Sequence, residues 1–139
     1  MEPSFHSTED FLVKFFLFSS YPKELVNGGD VTLRVGSDIS TRDELFERYS
    51  AGLSFPDYFG WNWDALDECL RDLHWVRQKR VIILHDDLPR LPENEMRVYL
   101  QILARAVEDW RKNEEHELIV VFPKRAEHHV RELIRSREA

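Results

Sequence analysis

The sequence predicts an α/β fold: a small three-stranded parallel sheet packed with helices. Two observations carry this. Arg80-Val81-Ile82-Ile83-Leu84-His85 and Leu118-Ile119-Val120-Val121-Phe122 are short continuous apolar runs, as expected of strands buried on both faces of a parallel sheet. Around them apolar residues recur at helical spacing, giving the order strand, helix, helix, strand, helix, strand, helix.

The elements follow in chain order. Residues 1–29 read as an N-terminal extension whose apolar run, Phe11-Leu12-Val13 and Phe15-Phe16-Leu17-Phe18, forms a strand or a short buried helix; periodicity does not arbitrate at this length. The run falls well short of the roughly 20 residues that span a bilayer. Glu2, Glu9 and Asp10 precede it where a signal peptide would be basic, so it is expected in the core. Val31, Leu33 and Val35 alternate with Thr32 and Arg34, which predicts a strand with one wet face. Thr41 and Glu44 have capping-box spacing, and Leu45, Phe46, Tyr49 and Leu53 form an apolar stripe, so a helix spans about 41–53 and is closed by Gly52.

A second helix is expected over 62–73, with Asn62 as N-cap and Leu66, Cys69, Leu70 and Leu73 on its buried stripe. Asp86, Asp87, Pro89 and Pro92 mark a loop. From Glu93 a long helix keeps Met96, Tyr99, Leu100, Leu103, Ala106, Val107 and Trp110 in register for four turns. Val130, Leu133 and Ile134 predict a terminal amphipathic helix within 124–139. The expected organisation is a single domain, with 30–123 as its core.

Composition narrows the function. The 139 residues are 42% hydrophobic and 12% aromatic, in the globular range. Nineteen basic against twenty-six acidic residues give a net charge of −7, which argues against direct nucleic-acid binding and favours a basic protein partner. The single cysteine, Cys69, excludes an intramolecular disulfide and suits a reducing cytoplasm. No membrane association and no cofactor are expected.

The most informative stretch is 55–73. Helical spacing places Asp64, Glu68 and Asp72 on one stripe with Asp67 alongside. Asp64 suits the positive end of the helix dipole, but Glu68 and Asp72 repel each other by about 0.2–0.5 kcal/mol. Helix stability therefore does not explain the stripe, whereas a basic partner does. Phe55, Tyr58, Phe59, Trp61 and Trp63 crowd the preceding loop, too many to be buried there, and aromatics beside charge suit a protein interface.

Other candidates are weaker. His85-Asp86-Asp87 ends a predicted strand where α/β folds place chemistry, yet three consecutive residues cannot converge on one atom. No phosphate loop, G-x-S-x-G or H-E-x-x-H string is present. His116, His128 and His129 lack companions at metal spacing and read as surface histidines. Cys69 reads as a buried, inert thiol whose acidic neighbours raise its pKa. Neither a catalytic nor a metal site is expected.

The string Phe55-Pro56-Asp57-Tyr58-Phe59-Gly60-x-Asn62-x-Asp64-Ala65-Leu66-x-x-Cys69-Leu70 resembles the signature of the barstar family, small inhibitors of secreted microbial ribonucleases. The order of elements from 31 to 122 is similar to that family's fold. The resemblance implies a non-enzymatic protein that plugs a basic ribonuclease or related toxin, its carboxylates standing in for RNA phosphates. It implies a contact surface of Tyr58, Gly60, Asn62, Trp63, Asp64, Asp67, Glu68, Arg71, Asp72 and Leu73. Within it, Tyr58 would pack on the enzyme's substrate-binding surface, Asn62 and Trp63 would touch the rim, Asp64 would meet a basic cluster, and Glu68 would be the most buried carboxylate. The chain departs from the family's pattern at Asp67 and Leu73, which replace tryptophans, at Glu68, longer than the usual aspartate, and at Arg71-Asp72, in place of Thr-Gly. Arg105 falls near where the family carries a further acid. An interaction module without a nuclease partner is the alternative.

Overall fold

A computed structural model describes residues 12–136. Residues 1–11, with the acidic start of the expected N-terminal segment, and 137–139 lie outside the described residues. The fold is mixed α/β on a parallel sheet, as expected, but the sheet has four strands: β1 (Phe16–Ser19), β2 (Val31–Val35), β3 (Arg80–His85) and β4 (Glu117–Pro123), in the order β1-β4-β3-β2. All three pairings are parallel. The additional strand is the apolar run that periodicity left undecided. It pairs along the outer edge of β4, Phe16 opposite Val120, a partner about a hundred residues away that no local pattern reveals.

Among the described residues four helices connect and cover the strands: α1 (Arg42–Gly52), α2 (Trp63–Asp72), α3 (Glu93–Asn113) and α4 (Glu127–Ser136). Strand alternation divides the sheet into two unequal faces. Leu33, Val35, Val81, Ile83, Leu118, Val120 and Phe122 join the main core with all four helices. Ile82, Leu84 and Val121 point the other way, where Leu25 and Val26 of the β1–β2 connection pack on them. The central strands β3 and β4 are buried on both faces, whereas β2 at the edge leaves Arg34 in water.

Helix limits follow local chemistry. Thr41 Oγ1 accepts from Glu44 N at 3.1 Å, and the Glu44 carboxylate reaches back to Ser40 N at 2.8 Å, one residue earlier than a simple capping box. Gly52 does not close α1 through a left-handed turn as expected, since that conformation falls on Ser54 (φ 54°). Gly52 is instead the last helical residue, and a Cβ there would collide with the Leu33 side chain. The close approach of helix to sheet favours glycine, because any larger residue obliges the buried Leu33 side chain to shift.

A buried polar chain ties sheet to helices. His85 Nδ1 donates to Val121 O at 2.9 Å, Tyr99 OH donates to His85 Nε2 at 2.8 Å, and Tyr49 OH lies 2.7 Å from Tyr99 OH. The carbonyl can only accept, so Nδ1 carries the proton and the direction of the whole chain follows. Burial lowers the His85 pKa to about 4, against the raising effect of the bond to Val121, and keeps the ring neutral at pH 7. His85, Asp86 and Asp87 therefore diverge as expected: Asp86 is held by Arg34 at 2.7 Å, and Asp87 Oδ1 accepts from Leu88 N.

Candidate functional site

The 55–62 loop is pinned from below. Phe55 and Phe59 are buried with ring centroids 4.8 Å apart, and Phe59 N–H donates to Pro56 O at 3.0 Å. Tyr58 and Trp61 face solvent, 63% and 52% exposed, as the crowding of aromatics required. Trp61 is left-handed (φ 57°) and leans on Phe59 at 5.1 Å. Gly60 is exposed and would accept a Cβ at ordinary contact distance, so nothing in the structure explains a glycine there. Asn62 is extended and caps α2, accepting from Ala65 N at 2.8 Å. Trp63 is half-buried, edge-on to Phe46 at 5.0 Å.

From this start, α2 buries Leu66, Cys69 and Leu70 and turns its acidic stripe outward. Asp64 and Glu68, one turn apart and exposed, have no hydrogen-bond or ion-pair partner among the described residues. Asp67 is different. Its side chain is only 14% exposed and is held between Arg71 at 2.8 Å and Arg105 at 3.9 Å. Arg71 also reaches Asp109 at 3.4 Å, so a ladder of alternating charge joins α2 to α3. Asp72 accepts from Tyr58 OH at 3.0 Å and from His74 Nδ1 at 2.9 Å. Partial burial raises the Asp72 pKa, but the bonds from His74 and Tyr58 outweigh it and hold the carboxyl below its usual value. Desolvation, and then Asp72, push the Tyr58 phenol up.

Leu73 lies on the buried stripe that helical spacing predicts, and not on the contact surface that the resemblance implies. It is fully buried and ends α2 in a left-handed turn (φ 45°), so its side chain belongs to the core and is not available to a partner. His116, expected at the surface, is also buried; its Nε2 lies 3.1 Å from Leu73 O and its ring meets Trp110 at 5.0 Å. Its polar neighbours Glu115 and Glu117 hid this in the sequence. His128 and His129 are exposed. Cys69 is buried, and its thiol is pushed up to about 11 by desolvation first, then by Asp72 and Glu68. Among the described residues no group of three or more acidic, histidine or cysteine side chains is placed to hold a metal, and no helix is long and apolar enough to cross a membrane.

A parallel α/β fold carrying a loop and helix with exposed aromatics, and carboxylates that have no partner among the described residues, defines a class of protein with a candidate recognition face. The family described as Barstar (barnase inhibitor) matches residues 31–123, from the start of β2 to the end of β4. The match takes in more than half of the 139 residues, and the chain belongs to that family. Both β1 and α4 lie outside the matched span. No curated protein and no solved structure matches the chain.

Proposed function

We propose that the protein is a non-enzymatic inhibitor that docks on the active site of a basic ribonuclease or related toxin, acting in the cytoplasm. The observation that carries this is the pair Asp64 and Glu68. Two exposed carboxylates one helical turn apart, without a partner among the described residues and flanked by exposed Tyr58 and Trp61, form an acidic face prepared for cations from outside. Such a face makes charge-assisted bonds to Arg and Lys and accelerates encounter at low salt. The contact surface in this reading comprises Tyr58, Trp61, Asn62, Trp63, Asp64 and Glu68, with Gly60 and Asp72 beside them.

One observation favours the alternative of a non-inhibitory interaction module on the same scaffold. Arg71 and Arg105 neutralise Asp67, so one end of the face is not acidic. A capture experiment separates the two. Wild-type protein and the Asp64→Ala/Glu68→Ala variant are used at low salt as bait for lysate and secreted fractions of the source cell. The inhibitor reading expects a small basic protein, active on RNA, retained by wild type alone and released by salt. Equal retention by the variant, or a partner without nuclease activity, overturns it.

A further inference from the structure

At the C-terminal end of α2 three polar side chains satisfy one another. Tyr58 OH donates to Asp72 Oδ2 at 3.0 Å, and His74 Nδ1 lies 2.9 and 3.0 Å from the two carboxylate oxygens, to which it donates. They meet because the chain turns left-handed at Leu73 and brings His74 back beside the last helical residue. The His74 ring stands edge-on to Trp75 at 5.2 Å, and Trp75 is fixed in turn by donating to Leu53 O at 2.8 Å.

Asp72 is placed against local preference. A carboxylate in the last turn of a helix faces the negative end of the dipole, so helix stability does not account for it. Tyr58 is also unusual, with a ring 63% exposed while its hydroxyl is tethered. An exposed loop aromatic ordinarily samples several rotamers, and binding must then freeze it.

We propose that Asp72, steadied by His74, is a positioning residue that pre-sets the exposed Tyr58 ring as the aromatic anchor of the docking face. The inference rests on the reading of that face as a docking surface. It gives the carboxylates different work. Asp64 and Glu68 meet the partner's cations, whereas Asp72 is engaged by the protein's own tyrosine. The partner therefore presents an apolar surface or a cation to the Tyr58 ring, and needs no basic group opposite Asp72.

The test has two arms. In the free protein, carbon-13 NMR of the tyrosines follows the Tyr58 phenol and its χ1 averaging. Glu68 and Cys69 are the other ionisable groups that act on this hydroxyl. In wild type the phenol titrates above its ordinary value and the side chain holds one rotamer; Asp72→Ala moves the titration down toward that value and releases the rotamer, while Asp64→Ala does neither. The second arm measures binding with barnase as the probe. Tyr58→Phe keeps the ring and removes the tether, so Tyr58→Phe and Asp72→Ala each weaken binding about 3- to 10-fold, and together no more than either alone. A Tyr58 that titrates and averages identically in wild type and Asp72→Ala overturns the tether. Additive losses overturn the positioning role, because Asp72 then contacts the probe itself. Wild-type protein that ignores barnase while Tyr58 stays tethered overturns the anchor role and the docking reading for this enzyme, and leaves the tether standing.

Discussion

Replacing Tyr99 by phenylalanine tests the directed chain beneath the site. Tyr99 donates to His85 Nε2 and lies within hydrogen-bond distance of the Tyr49 hydroxyl, and all three side chains are fully buried. Tyr99→Phe removes one oxygen but strands two groups, the Nε2 lone pair and the Tyr49 hydroxyl. Each buried orphan costs about 1–3 kcal/mol, so the variant is destabilised by about 2–6 kcal/mol. For a chain of this length that is a fall in Tm on the order of 10 °C. Tyr49→Phe strands no donor, because Tyr99 still donates to His85, and costs about 1 kcal/mol. The double variant removes the Tyr49 orphan and is less destabilised than the two losses added together. Urea unfolding of the four proteins at pH 7 reads these differences. Equal losses for the two single variants, or simple additivity, would refute the direction assigned to the chain.

Three further expectations follow from the same structure. The folded His85 pKa of about 4 lies below the unfolded value near 6.5, so its stabilising contribution is complete above pH 6.5 and is lost as pH falls toward 4. Stability measured by urea unfolding should drop by about 3 kcal/mol over that range; a flat profile contradicts the buried neutral ring. Asn62→Ala removes the cap of α2 and should cost about 1 kcal/mol in the same assay, with Asn62→Asp recovering most of it. Cys69, with its thiol pushed up to about 11, should react with a disulfide reagent at pH 8 at least a hundredfold more slowly than a free cysteine until the protein unfolds.

Much of the fold is legible because period and position agree. The alternation at 31–35, the apolar runs at 80–85 and 118–122, and the register of Met96 to Trp110 each specify one element, and the structure places each as read. What the sequence hid was non-local. β1 exists as a strand because β4 offers it an edge, and Gly52 matters because Leu33 lies beneath it. The loop and helix of the site are legible too, as is the fact that its five aromatics cannot all be buried; which of them face solvent, Tyr58 and Trp61, only the packing decides. The state of each carboxylate was not. Asp64, Asp67, Glu68 and Asp72 look alike on a helical stripe, yet Arg105 and Arg71 enclose Asp67, and Tyr58 and His74 engage Asp72. Leu73 fitted both the apolar stripe and the contact surface, and packing assigns it to the first.

The most direct measurement is RNA cleavage by the purified captured ribonuclease, titrated with wild-type protein, Asp64→Lys and Glu68→Lys at low and high salt. Stoichiometric loss of cleavage with wild type, weakened by salt and abolished by either reversal, is the predicted result. Cleavage that continues beside a bound wild-type protein, or inhibition that survives both reversals, would contradict an acidic face acting in place of RNA.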